Sequence, residues 1–221
     1  EHPLIVITTG GELLARARRD GIPQIIIPDV TIQPRLAIGY FLKALTLVTG
    51  TKTIGSELET LADRLDLAAL EIEGRELADR LVGRIPLFYS AKRYAPLAYF
   101  WKIMLNETAK LPAFTNVVPE QNHNELESFD GEPIAPFTAM TLASEDDHPR
   151  VARRLASLEE ILPATGATVE RVLLIGNTPI ERLIRSILVA SFTALTLATQ
   201  RGIDPASVPL IEKFKNYVAS A

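Results

Sequence analysis

The sequence predicts a doubly wound, mostly parallel α/β sheet flanked by helices, and three features predict it. Residues 4–9 (LIVITT) and 23–28 (PQIIIP) are continuous apolar, β-branched runs, as expected of strands covered on both faces. Gly and Pro bracket these runs, so the connections to neighbouring elements are tight. The second half of the chain repeats the alternation of short β-rich runs with helical periodicity, which is the pattern of parallel crossovers.

The elements follow in order. Gly10-Gly11 turns the chain out of the first strand, and ELLARARRDG reads as a short helix closed by Gly21. With 23–28 this makes a parallel βαβ unit. Residues 33–50 (QPRLAIGYFLKALTLVTG) read as a largely apolar helix ended by Gly50, and Ser56 to about Arg80 as a charged connecting helix interrupted or bent near Gly74. Strands are then expected at 84–91, 113–120, 134–144 and 169–176. Helices are expected at 94–110, at 148–162 with Pro149 in the first turn, and at 180–202. A turn and a short helix end the chain.

The 221 residues are 47% hydrophobic and 23% charged, enough to bury a sizeable core. A formal net charge of −4 favours neither a nucleic-acid nor an anionic-membrane partner. Cysteine is absent, which removes disulfides and thiolate metal sites and fits a cytoplasmic setting. No uninterrupted apolar run approaches the roughly 18 residues of a membrane span. The chain starts Glu1-His2-Pro3 and enters a core strand at once, which reads as a piece of something longer.

In such sheets ligands sit outside the carboxyl ends of the strands, at the point where strand order reverses. The stretch NETAKLPAFTNVVPEQNHNELESF (106–129) is rich in polar residues for this chain. It puts Glu107 near a helix end and His123 beyond the strand 113–120, and both are expected to reach one crevice. A carboxylate and an imidazole are suited to moving protons near neutral pH. The residues alone leave a second reading, a solvated helix-end Glu107 and a His123 bonded to backbone. Gly176-Asn177-Thr178 before Pro179 forms either an anion turn or an ordinary helix cap. The EDDH run (145–148) suits either a hard cation or capping by Asp146 or Asp147. His2, His123 and His148 are scattered, and no metal site is expected.

The same stretch carries a resemblance. NETAKLPAFTNVVPEQNHNE resembles the signature of the bifunctional phosphoglucose/phosphomannose isomerases, which are built of two sugar isomerase (SIS) domains. ITTGGELLARA, QPRLAIGY, IERLIRSILVASFTALTLATQRGIDP and VPLIEKFKNYV resemble further blocks of that family in order. The resemblance implies an SIS-type, flavodoxin-like fold with a partial first SIS unit. Residues 1–50 would be its remnant, 51–82 a connecting helix and 83–221 the second SIS domain. It implies aldose–ketose isomerisation of a phosphorylated hexose without metal or cofactor.

Glu107 would be the base at C2 and C1, and His123 with Lys215 would open the sugar ring. Arg35 would stabilise the enediolate, and Ser207, Asn122 and Glu125 would contact substrate. Either Lys213 or Lys215 could be a solvated helix residue; the register of IEKFK prefers Lys215. The family's phosphate loop belongs upstream of the first strand, outside this sequence. A homodimer that shares its active site, with the histidine supplied by the neighbour, is also implied. The alternative from another class is a non-catalytic sugar-phosphate binding or regulatory module, and a third reading is a folded piece of the isomerase that is inactive without its phosphate loop.

Overall fold

The computed structural model describes residues 4–131 and 135–220. The chain divides into two compact units, Glu1–Leu65 and Asp66–Ala221. In the first, β1 (Val6–Thr8) and β2 (Gln24–Ile26) pair in parallel across the helix α1 (Gly11–Arg19). Gly21 adopts φ 65 where the chain leaves α1, a left-handed turn that a side chain resists. The helix expected at 33–50 begins as a 3-10 turn, Pro34–Leu36, before α2 (Ile38–Thr49). It packs against α3 (Lys52–Arg64).

The expected connecting helix is two helices. The break falls at Leu65–Asp66, where the Asp66 carboxylate accepts the Ala69 amide at 3.0 Å and starts α4 (Leu67–Arg80). Gly74 sits in the middle of α4 without a bend there. A Cβ on it would stand 2.6 Å from the Cβ of Phe192, so glycine is what lets α4 and its neighbour come close.

The second unit continues with β3 (Ile85–Ala91), α5 (Ala95–Glu107), β4 (Phe114–Val118) and the single turn α6 (Glu120–His123). β5 (Phe137–Ala143), α7 (Pro149–Ile161), β6 (Thr168–Leu173), α8 (Pro179–Gln200) and α9 (Pro209–Ala219) follow. Residue 134, expected in a strand, lies outside the described residues. The four strands lie in the order β4-β3-β5-β6, all parallel. Strand order reverses between β3 and β5, so the switch point is there.

Neighbouring side chains of β3 face opposite ways. Phe88 meets Trp101 of α5 at a ring separation of 5.5 Å, whereas Tyr89 packs with Leu155 and Leu158 of α7. Helices α5 and α8 therefore cover one face, with α4 on α8, and α7 covers the other. Trp101 donates its indole N–H to Ser186 Oγ at 2.9 Å and so buries no unpaired donor. Averaged along its length, α8 is apolar enough to cross a bilayer, which counting uninterrupted runs did not reveal. Its Ile187, Ala190, Ala194 and Leu197 are instead buried within this unit. That makes it a core helix of the sheet.

Candidate active site

Glu107 is the last residue of α5 and half-buried. The loop after it is held closely. Asn106 Nδ2 donates to Leu111 O at 2.8 Å, and the Leu111 amide reaches back to Leu105 O at 3.0 Å. Lys110 takes a left-handed φ of 52, and its ammonium bonds the Glu107 carbonyl. Arg201, just past α8, donates from Nη1 to Ala109 O at 2.6 Å and to Lys110 O at 3.2 Å. This clamp ties the Glu107 loop to the segment that holds Ser207, which is half-buried between α8 and α9. Sequence reading missed Asn106 and Arg201. Only the placement of Asn106 beside Glu107 in the polar stretch offered a signal.

His123 ends α6 and is exposed. The expectation that it shares a crevice with Glu107 fails within one chain. Helix α5 crosses back over the sheet, so its last residue lies at the amino end of β4, and His123 follows the carboxyl end. The five residues of β4 between them span about 16 Å at the usual rise. The error lay in giving a helix end the position of a strand end. Lys215 is exposed on α9 and pairs with Glu212 Oε1 at 2.8 Å. Arg35 is half-buried on the 3-10 turn of the first unit.

Asn122 donates from Nδ2 to Gln121 Oε1 at 2.9 Å. The Glu125 carboxylate accepts Asn116 Nδ2 at 2.5 Å, and the Glu125 amide is capped by Asn124 Oδ1 at 2.6 Å. Glu125 belongs to a polar cluster that also includes Tyr89. Burial, and then the Glu125 charge, push the Tyr89 hydroxyl well above its ordinary pKa, so it stays protonated.

The Gly176-Asn177-Thr178 turn is a helix cap. Thr178 Oγ1 accepts the Glu181 amide at 3.1 Å, and the Glu181 carboxylate accepts both the amide and Nδ2 of Asn177 at 3.2 Å. A carboxylate therefore occupies the place an anion would take. In the EDDH run the cap of α7 is His148, whose Nδ1 accepts the Arg150 amide at 3.2 Å, rather than Asp146 or Asp147. Glu145 and Asp146 instead pair with Arg182, whose Nη1 lies 2.8 Å from Glu145 Oε1. Asp147 accepts the buried Ser144 amide at 2.9 Å, and burial raises its pKa. Among the described residues no group of acids and histidines is arranged to hold a metal ion.

Residues 71–218 match the model of the family described as the bacterial phospho-glucose isomerase C-terminal SIS domain. The chain belongs to this family. The match to the C-terminal SIS domain begins inside α4 and ends inside α9. The chain is 31% identical to a bifunctional phosphoglucose/phosphomannose isomerase of Aquifex aeolicus, over 96% of this chain and 66% of that protein. It is 30% identical to one of Caldicellulosiruptor bescii, over 98% and 68%.

A D-glucosamine-6-phosphate 4-epimerase of Sulfolobus acidocaldarius is 28% identical over 96% and 66%. The chain thus spans about two thirds of the length of these relatives. Two solved structures share the fold. A glucose-6-phosphate isomerase like protein from Thermus thermophilus aligns with a TM-score of 0.61 at 20% identity, over 96% of this chain and 77% of that one. Tagatose-6-phosphate ketose/aldose isomerase from Escherichia coli aligns with a TM-score of 0.68 at 17% identity, over 92% and 62%.

Proposed function

We propose that this chain is a sugar-phosphate aldose–ketose isomerase, or the C-terminal two thirds of one. It would interconvert glucose 6-phosphate or mannose 6-phosphate with fructose 6-phosphate. The observation that carries the reading is the 31% identity, over nearly the whole chain, to a relative named for both isomerisations. Glu107 takes the C2 proton of the open-chain aldose and returns it to C1, while a hydroxyl proton passes from O2 to O1. The two aldoses differ only at C2 and give the same enediolate, so one base serves both once rotation about C2–C3 presents the other face of C2 to it. A base on a C–H bond must be held in place, and the hydrogen bonds around residues 106–111 support that role for Glu107.

Arg35 keeps its charge and stabilises the enediolate without protonating it. His123 moves a proton between ring oxygen and hydroxyl with help from Lys215, and Ser207, Asn122 and Glu125 complete the substrate contacts. The span of β4 between Glu107 and His123 favours a homodimer in which each site takes His123 from the partner copy. The exposure of Leu210, Phe214 and Tyr217 supports assembly. They form an apolar strip along α9, beside Lys215, that is 77%, 65% and 75% exposed.

A non-catalytic binding module is the second reading, favoured by the same separation and by the Lys215–Glu212 pair. Assaying fructose 6-phosphate conversion by this chain and by Glu107→Gln tests both. The isomerase reading expects turnover that the variant loses; a wild-type chain that binds hexose phosphate without turnover fits the module or a piece of the isomerase whose phosphate loop lies outside it.

A further inference from the structure

We propose that the cleft between α6 and α7 is a binding site for a small phosphorylated compound, held through its phosphate by the arginines of α7 and set apart from Glu107, with Asn122 the one lining residue it shares with the substrate contacts proposed above. The cleft encloses about 570 Å³, within the range of small-molecule sites. Arg150, Arg153 and Arg154 of α7 and Asn122 of α6 line it, and Leu126 and Leu158 contribute apolar surface. The arginine spacing of i, i+3 and i+4 puts all three on one helix face. Among the described residues none of the three forms an ion pair, and no carboxylate lines the cleft.

The charge order of α7 points the same way. Helix α1 carries Glu12 in its first turn and Arg16, Arg18 and Arg19 in its last, as the helix dipole favours. Helix α7 inverts this. It has no acid in its first turn and gathers three arginines in its first half, with Glu159 and Glu160 near its end. A helix that sets unpaired cations against its own positive end and against each other gives up stability at that face. Such local conflicts mark functional sites. The resulting positive potential lies in a concavity rather than on a bulge. Guanidinium groups stay charged, and their forked N–H pairs match phosphate oxygens. The apolar floor suits the carbon body of a phosphate ester.

The test is calorimetric titration of the full chain with inorganic phosphate and, separately, with a hexose 6-phosphate. Three proteins are compared: wild type, R153Q/R154Q, and R16Q/R19Q, which removes the same charge from α1. Saturable binding is expected, weakened about tenfold or more by R153Q/R154Q alone. Amide NMR shifts of the wild type on adding phosphate are expected to gather in residues 150–157. Absence of saturable binding, equal weakening in both double variants, or shifts confined to other segments would overturn the site. None of these readings measures isomerisation, so the role of Glu107 stands or falls separately.

Discussion

Glu107 is a carboxylate whose value depends on where its helix stops. Replacing it with Gln keeps the shape and removes the proposed base. The expected outcome is a loss of kcat of about 10²- to 10⁴-fold with an unchanged melting temperature. Equal rates would discard the assignment. Asp147 supplies a second test at this scale. Its folded-state pKa is raised by burial, so its contribution to stability is full below the unfolded value of about 3.9 and is lost as pH rises through the folded value. Asp147→Asn can still accept the Ser144 amide and has nothing to ionise. Thermal melts should show the variant gaining on wild type as pH rises from acid toward neutral, and a gain in the opposite direction would contradict the account.

Among elements, the packing of α4 on α8 depends on Gly74. Gly74→Ala should destabilise the protein by about 1–3 kcal/mol in urea unfolding, because the added methyl meets the backbone of α8. Arg201 acts between elements as a positioning residue, since it holds the Glu107 loop against the end of α8. Arg201→Met should lower kcat by about ten- to a hundredfold with a smaller change in KM. Free guanidinium should restore part of the rate, which a merely structural defect would not allow.

The elements themselves were legible because buried strands and capped helices announce themselves locally. RIPLFYSA and the Pro149 helix start fall where composition put them, whereas LIVITT forms a strand only over Val6–Thr8 and leaves Leu4 and Ile5 exposed rather than buried. The break at Asp66 was missed because an aspartate among many charges looks like one more exposed residue until its carboxylate is seen on the Ala69 amide. Gly74 was read as a bend because sequence shows flexibility and not the neighbour that needs the space. Arg182 and Arg201 were invisible for a related reason. Each is defined by partners far along the chain, Glu145 and Asp146 for one and the carbonyls of Ala109 and Lys110 for the other.

At the scale of the whole molecule the α/β crossover governs the chemistry. It sends Glu107 to one edge of the sheet and His123 to the other, so the proposed isomerase site takes its His123 from a second copy. Mixing Glu107→Gln with His123→Gln is the most direct test. In a mixed dimer one site inherits both defects and the other inherits neither. Random mixing makes half the dimers mixed with one of two sites intact, so activity should return to about a quarter of wild type. An active wild type whose two variants, when mixed, are no more active than either parent would contradict the account.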